Sequence, residues 1–473
     1  MPYNDDYFNS KSFRCLLEKF RKSEQNMIHS IFDPEEYVDL AEYFYNNNQK
    51  SKGYKIIDLA LQIYPGALSP LLFKARVELL DNNNPVRAAW YVEQIEDKSD
   101  LEYIYIKGEI MVAQKQIEEA DNYYEQHYIT LDAEEKSYYE IDISNIFFDY
   151  EVIDKGLKWF ARCSNKQLLE YMELEAKVEM IKGNFKSSQK LYNKLIDNNP
   201  FNIQYWNSLA SSQFFNDEIE EAISSSEYSI AINPDNAAAL LNKANGLYKL
   251  GNYEEALKYY IRYNRINTAD ESGEILIGLC YLLLEKFEDA ISFLSKAAMH
   301  CEKNSPNLVD IYKDLSYAMC RLGRIDEGLA MLDKMDEIVK NPNDLLVNKG
   351  IILIGCGHFD KAKKYFVKAL KQSNYDRNIF LKIAITVYES GDPTLAYRMF
   401  TTVYKQNEHW YKGYAFYAAC CHDLNKKEEF LQSLRLAVKY TPYETQEVLG
   451  VLFPDKMPVE EYYDYMRQKL QHK

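Results

Sequence analysis

A short pattern recurs along the chain at a fixed spacing, and this recurrence constrains the fold more than any single motif does. The stretch "KLGNYEEALKYY" (residues 249–260) is followed 34 residues later by "LLEKFEDAISFL" (residues 283–294). Related stretches are "IKGNFKSSQKLY" (residues 181–192) and "GCGHFDKAKKYF" (residues 355–366). A catalytic site normally occurs once, whereas a structural unit can repeat. The sequence therefore predicts an array of similar units.

Each unit has the pattern of two helices. Leu240 and Ala244 lie at helical spacing, Gly251 stands where a left-handed C-cap is easiest, and a second apolar stripe begins at Tyr253. The small residues Ala244 and Ala256 allow the two helices to approach closely. One helical pair cannot bury both of its faces alone, so we expect neighbouring units to stack.

Alignment on the small residue of the second helix gives twelve units. The aligned residues are Gly53, Ala88, Ala120, Gly156, Ser188, Ala222, Ala256, Ala290, Gly328, Ala362, Ala396 and Phe430. The most frequent spacing between them is 34 residues. A second small residue stands twelve positions before each, with Arg76 as the exception. We predict one all-α array that is ordered almost throughout.

The pattern resembles the tetratricopeptide repeat family, whose signature is W-x2-L-G-x2-Y, then A-x3-F, then P within 34 residues. One unit matches it at Trp206, Leu209, Ala210, Ala222 and Pro234, and another at Gly350, Phe359, Ala362, Phe366 and Ala369. The resemblance implies a right-handed α-solenoid superhelix of about twelve antiparallel helix pairs over residues 34–444. We expect an N-terminal capping helix within residues 1–33 and a C-terminal capping helix segment within residues 445–473.

Charge and apolar patterning exclude several classes of protein. The net charge is −16, which disfavours nonspecific nucleic-acid binding because that requires a basic surface. Residues 1–236 hold 24 Lys+Arg and 41 Asp+Glu, a net of −17, and the remainder holds 32 and 31. The acidic excess either faces a basic partner or belongs to solvated helix faces. The N-terminal stretch lacks the apolar core of a signal peptide, and no segment has 18 uncharged apolar residues, so we expect a soluble cytoplasmic protein without membrane insertion.

Motifs that carry chemistry are missing from the sequence. It contains no GxxxxGK[ST], GxGxxG, HExxH or CxxC, and the adjacent Glu254 and Glu255 point about 100° apart on a helix. The cluster "CCHD" (residues 420–423) divides its side chains between a packing face and the opposite face. The eight cysteines lack paired spacing and suit reduced thiols. We predict a protein that is not an enzyme and that uses no metal or cofactor.

The family resemblance also implies where a ligand would bind, because the concave wall is built from the first helix of each pair. In the first units these positions hold Glu35, Asp39, Glu42, Tyr45, Glu102, Tyr105 and Glu109. Our candidate groove residues are Asn207, Asn242, Asn245, Tyr248, Lys313, Tyr317, Asn348, Asn378 and Lys382. Lys313, Asn348 and Lys382 match the family's carboxylate clamp for a peptide C-terminus, whereas Tyr317 and Asn378 depart from it.

The combined evidence predicts a noncatalytic scaffold that binds an extended peptide or a partner's helix in its groove. Two alternatives stay open. One is a structural solenoid that assembles with itself, and the other is a regulatory adaptor subunit that recruits substrates to a separate enzyme. The sequence leaves the partner protein and the oligomeric state unidentified.

Overall fold

The computed structural model describes residues 5–8, 10–26, 31–47, 49–268, 271–303, 305–338, 341–405, 410–454 and 457–471. Within these ranges the regular elements are all helical. The chain divides into two units, Met1–Pro200 and Phe201–Lys473, which are described separately below.

The N-terminal unit begins with α1 (Asp5–Phe8) and α2 (Lys11–Asn26). Five helical pairs follow: α3 (Pro34–Asn46) with α4 (Lys50–Ile63), α5 (Leu68–Leu80) with α6 (Pro85–Val92), α7 (Leu101–Ala113) with α8 (Ile117–Tyr128), α9 (Ala133–Asp149) with α10 (Ile153–Phe160), and α11 (Leu169–Ile181) with α12 (Phe185–Asn198).

The C-terminal unit contains seven pairs in its described ranges. They are α13 (Ile203–Phe215) with α14 (Ile219–Ile232), α15 (Ala237–Lys249) with α16 (Tyr253–Ile266), α17 (Glu271–Leu283) with α18 (Phe287–His300), α19 (Asn307–Arg321) with α20 (Ile325–Asp333), α21 (Pro342–Gly355) with α22 (Phe359–Gln372), α23 (Arg377–Glu389) with α24 (Pro393–Lys405), and α25 (Tyr414–Asp423) with α26 (Lys427–Tyr440). Short helices α27 (Pro442–Leu449) and α28 (Tyr462–Gln471) follow.

The described part of the chain thus contains the predicted twelve helical pairs, and the all-α solenoid fold is confirmed. The turn inside a pair has one left-handed residue, as the sequence predicts for Gly251, whose φ is 77°. Lys115 takes the equivalent place between α7 and α8 with φ 65°. Glycine removes the steric cost of this conformation, but the array tolerates other residues there.

Close contact between the two helices of a pair depends on the predicted small residues. Ala244 and Ala256 are fully buried in one core cluster with Tyr260. A Cβ added to Gly53 would lie 2.8 Å from the Ala41 carbonyl oxygen, and one added to Gly108 would lie 2.2 Å from the Tyr124 ring. Larger side chains at these positions would push the helices apart.

Arg76, the exception in the sequence alignment, results from one additional turn residue. Three residues separate the helices of every other described pair, whereas four residues separate α5 from α6. The extra residue moves Ala75 into the packing position, where it is fully buried in the same core cluster as Ala88. Arg76 therefore lies outside the core, at the surface of α5.

Both ends of the array carry additional helices. Phe13 of α2 is fully buried, and its ring centroid lies 5.1 Å from that of Tyr43 on α3. The sequence predicts this helix over residues 12–31, of which residues 27–30 lie outside the described residues. At the other end, α28 packs against α26 through the cluster that contains Phe430 and Tyr462. The limits of the predicted capping segments stay predictions.

We predict that Gly328→Ala loosens the pair α19–α20, because its Cβ would meet the Ser316 carbonyl oxygen at 2.8 Å and backbone cannot rotate away. The expected cost is about 1–3 kcal/mol. Gly355→Ala is the matched control, since its Cβ would make ordinary contact with Tyr317 at 3.6 Å. Hydrogen exchange should show lower protection of α19 and α20 in the first variant alone. Equal protection in both variants would contradict the close-packing account.

Candidate functional site

Within each unit, the first helices of neighbouring pairs lie beside one another and form a surface, and we call this surface the first-helix face. It consists of α3, α5, α7, α9 and α11 in the N-terminal unit and of α13, α15, α17, α19, α21, α23 and α25 in the C-terminal unit. Side chains link these helices directly. Ser69 of α5 donates to Glu35 of α3 at 3.2 Å, and Lys177 of α11 pairs with Asp149 of α9 at 2.6 Å.

In the N-terminal unit this face contains a groove of about 830 Å³ between α3, α5 and the start of α7, with α1 at one side. We call it the acidic groove. Its apolar lining comprises Val38, Leu68, Leu72, Phe73, Val77 and Leu80. Its carboxylates are Glu35, Asp39, Glu42, Asp81, Asp100 and Glu102. The groove therefore combines an apolar floor with negative charge.

The carboxylates of the acidic groove differ in how they are compensated. Arg76 forms an ion pair with Glu102, and Lys50 pairs with Asp81 at 2.9 Å. Asp39 accepts a hydrogen bond from the Tyr7 hydroxyl. Burial is the main cause that raises the pKa of Asp39, against the opposing effect of this hydrogen bond.

Glu42 is the carboxylate with the least compensation. Within the described ranges it accepts no hydrogen bond and forms no ion pair. Burial raises its pKa first and the neighbouring charge of Asp39 raises it further, while Arg76 opposes them. A charged Glu42 therefore loses hydration without forming an ion pair in the described part of the chain.

In the C-terminal unit the predicted asparagines take part in hydrogen bonds within and between repeats. Asn207 donates to Asn236 at 3.0 Å and accepts from the Ser229 hydroxyl at 2.7 Å. Asn242 donates to the backbone oxygen of Asn207 at 3.2 Å. Asn245 accepts from the Tyr260 hydroxyl at 2.7 Å. These amides join α13, α14, α15 and α16, so at least part of their hydrogen-bonding capacity is structural.

Tyr248 and the lysine positions have a different environment. The Tyr248 ring packs edge-on against Tyr253, with centroids 5.4 Å apart, and burial raises the pKa of its hydroxyl. Lys313 pairs with Asp310 at 2.9 Å, within one turn of α19. Lys382 of α23 pairs with Asp344 of α21. Both predicted cations therefore already have an acidic neighbour.

The three remaining candidates lie on the same series of helices. Tyr317 accepts a hydrogen bond from Arg321 at 2.7 Å. Asn378 is exposed in the first turn of α23, where its backbone amide donates to Asp376 at 2.9 Å. Asn348 is half-buried on α21 and has no hydrogen-bond partner within the described ranges.

The described residues contain no candidate metal site and no candidate membrane-spanning helix. They hold no group of three or more His, Cys, Asp and Glu side chains placed to bind a metal ion. In the "CCHD" stretch, Cys420 and Cys421 are fully buried, and the Cys420 thiol donates to the Pro393 carbonyl oxygen at 2.9 Å. Among the described helices, none is long and apolar enough to cross a membrane.

Comparison with protein families agrees with this geometry. Models of the tetratricopeptide repeat match residues 216–270 and residues 344–375, which cover α15–α16 and most of α21–α22. The chain contains tetratricopeptide repeats at these residues. Repeats of this kind form scaffolds for protein interactions, and the coarse prediction of an interaction scaffold is supported.

Several known proteins are similar to this chain. A TPR repeat-containing protein of Methanocaldococcus jannaschii is 22% identical over 435 residues, covering 85% of this chain and 74% of the relative. Human protein O-mannosyl-transferase TMTC3 is 21% identical over 178 residues, or 35% of this chain and 20% of the transferase.

Two solved structures are similar to part of this chain. The crystal structure of YrrB, described as a TPR protein with an unusual peptide-binding site, is 18% identical with a TM-score of 0.33, covering 38% of this chain and 91% of YrrB. Pseudomonas aeruginosa pilF is 16% identical with a TM-score of 0.34, covering 44% of this chain and 91% of pilF.

Sequence reasoning identified part of the acidic groove and missed the rest. It placed Glu35, Asp39, Glu42, Tyr45 and Glu102 on the wall, and all five line the groove. It placed no residue of α5 on the wall, because the longer turn displaces that helix from the register of the repeat. The large charged residue Arg76 at a small-residue position was the signal that could have revealed the displacement.

We predict that the stability of the C-terminal unit depends on the ionisation of Asp314, which lies beside Lys313 on α19. Burial, reinforced by Asp310 and opposed by Lys313, raises the pKa of Asp314 to about 6. The folded chain thus binds this proton more tightly than the unfolded chain, so stability should rise as the pH falls from neutral through about 6.

Asp314→Asn should accordingly stabilise the protein at neutral pH by of order 1 kcal/mol and flatten this part of the pH profile. Urea unfolding midpoints at about pH 5 and about pH 7.5 measure the effect. The exposed Asp235 provides the control Asp235→Asn, which should leave the profile unchanged. If the Asp314→Asn variant kept the pH profile of the wild type, Asp314 would be excluded as the cause of the pH dependence.

Proposed function

We propose that the protein is a noncatalytic scaffold that binds an extended peptide or a partner's helix along its first-helix face. The observation that carries this proposal is the acidic groove, whose volume of about 830 Å³ and apolar floor suit the side chains of a bound peptide. The direct links between neighbouring first helices support it further, because a face that spans several repeats can contact successive residues of an extended ligand.

A noncatalytic role agrees with the state of the nucleophilic side chains. Burial is the main cause that raises the pKa of Cys163, Cys280, Cys420 and Cys421, each to about 12. A thiol is a nucleophile only as the thiolate, so these cysteines are unreactive near neutral pH. They pack as apolar residues in the helical cores.

For the C-terminal unit, we propose that Lys313, Asn348 and Lys382 form one contact region for a peptide carboxylate. A ligand would compete with Asp310 and Asp344 for the two ammonium groups. Ion pairs between exposed side chains contribute at most about 1 kcal/mol, so exchanging one acidic partner for another costs little. Asn348 adds an amide without a partner in the described ranges. The other candidates, Asn207, Asn242, Asn245, Tyr248, Tyr317 and Asn378, would form the surrounding wall.

The test compares partners captured from native cell extract by the wild-type protein and by the triple variant Lys313→Ala, Asn348→Ala, Lys382→Ala, identified by mass spectrometry. We expect the wild type to capture a partner that the triple variant does not capture, because the variant lacks the amide and both cations. A control variant, Lys363→Ala, Lys364→Ala, Lys368→Ala, removes exposed lysines from the second helix α22. Retention of every partner by the triple variant, or an equal loss in the control, would exclude this region as the binding site.

A further inference from the structure

We propose that the acidic groove binds a basic peptide segment that carries lysine or arginine side chains together with an apolar anchor. This inference rests on the proposed function and adds the chemistry of the ligand. Its first support is the composition of the lining, in which the apolar side chains of α5 adjoin carboxylates from α3 and α7. Apolar side chains of a ligand would lie on Leu72 and Phe73, and its cations would reach Asp39 and Glu42.

The charge of the lining is the second support. Of the described residues that line the acidic groove, six are carboxylates and Arg76 is the one cation. Arg76 is already engaged by Glu102. The carboxylate of Glu42 is half-buried near Asp39, so the two acids disfavour each other's ionised form. A cation placed between them would compensate both the mutual repulsion and the lost hydration.

Some acids elsewhere in the same unit have cations of the chain as partners. Asp121 on α8 accepts hydrogen bonds from Lys155 and Lys158 of α10, both at 2.8 Å, and from the Trp159 indole at 2.9 Å. Glu125 accepts two bonds from Arg162. At this contact between helical pairs, the chain thus provides its own cations. In the acidic groove it provides fewer cations than carboxylates.

A lysine next to the groove shows how an ammonium group is held. The ammonium group of Lys50 lies 2.9 Å from the Asp81 carboxylate and 4.7 Å from the centroid of the Tyr45 ring. A carboxylate and an aromatic face together stabilise an ammonium more than either alone. Tyr7 stands beside Asp39 in a similar combination of phenol and carboxylate. A ligand lysine near Asp39 would find the same two kinds of group.

Other occupants fit the groove less well. A lone divalent cation is disfavoured, since no metal-binding group of carboxylates is assembled in the described residues. An anionic ligand would meet the carboxylates directly and pay a further repulsion. A basic peptide satisfies the charge and the apolar floor at once.

The test uses a fluorescein-labelled peptide that alternates lysine or arginine with leucine, and fluorescence anisotropy measures its affinity for the full-length protein. Two further probes are a peptide with glutamate at every basic position and one with serine at every leucine. We expect the basic peptide to bind most tightly and to weaken as salt rises, because salt screens the charge attraction. The serine peptide should bind more weakly because it lacks the apolar contact.

The protein variants separate the groove from general charge. Asp39→Asn with Glu42→Gln should weaken binding of the basic peptide by about tenfold or more, while Asn still accepts the Tyr7 hydrogen bond. The control Glu119→Gln with Glu134→Gln removes the same charge from exposed residues of α8 and α9 and should change the affinity less than about twofold. Circular dichroism melting curves check that both variants remain folded.

The outcomes separate the basic ligand from the proposed function. Equal affinity of the wild type and the groove variant for the basic peptide, or equal weakening by the control variant, would overturn the proposal of a basic ligand. Tighter binding of the glutamate peptide to the wild type, with hydrogen-exchange protection in α3 and α5, would overturn the basic ligand but support peptide binding by the first-helix face. Failure of all three probes to protect any first helix would count against both.

Discussion

Close packing between the two helices of each pair is the interaction on which the rest of the structure depends. Ala244 with Ala256, and Gly108 with the Tyr124 ring, bring the helix axes near enough for aromatic side chains to fill the space beside them. Protein interiors leave few voids, so this arrangement repeats with little variation. The second helix then holds the first at a constant orientation, and successive first helices come side by side.

The same constraint explains why the acidic groove occurs where it does. The extra turn residue before α6 moves Ala75 into the packing position and leaves Arg76 outside the core, at the surface of α5. The packing accommodates the extra turn residue because a small residue, Ala75, stands immediately before Arg76 in the sequence. The first-helix face then receives an arginine that pairs with Glu102, while no described residue forms an ion pair with the acids of α3. A one-residue change in a turn thus alters the electrostatics of the binding surface.

Side chains that look equivalent in the sequence fall into different roles in the structure. Asn207 and Asn242 have the polar character of ligand-binding residues, yet they hydrogen-bond with groups in the neighbouring repeats. Lys313 and Lys382 match positions of a carboxylate clamp, yet each has an aspartate partner. The sequence placed them on the correct helices. It could not show the partner of Lys382, because Asp344 lies 38 residues away in the chain.

The sequence by itself determined the repeat, the helical pairs, their small-residue contacts and the left-handed turn residue, because each depends on residues that are near one another in the chain. It also determined the acidic excess of the N-terminal half. Only the tertiary structure decided which acids are compensated and which are not, where the apolar floor of the acidic groove lies, and which amides are already hydrogen-bonded. These properties depend on distances between successive repeats, and such distances are set by packing rather than by local sequence.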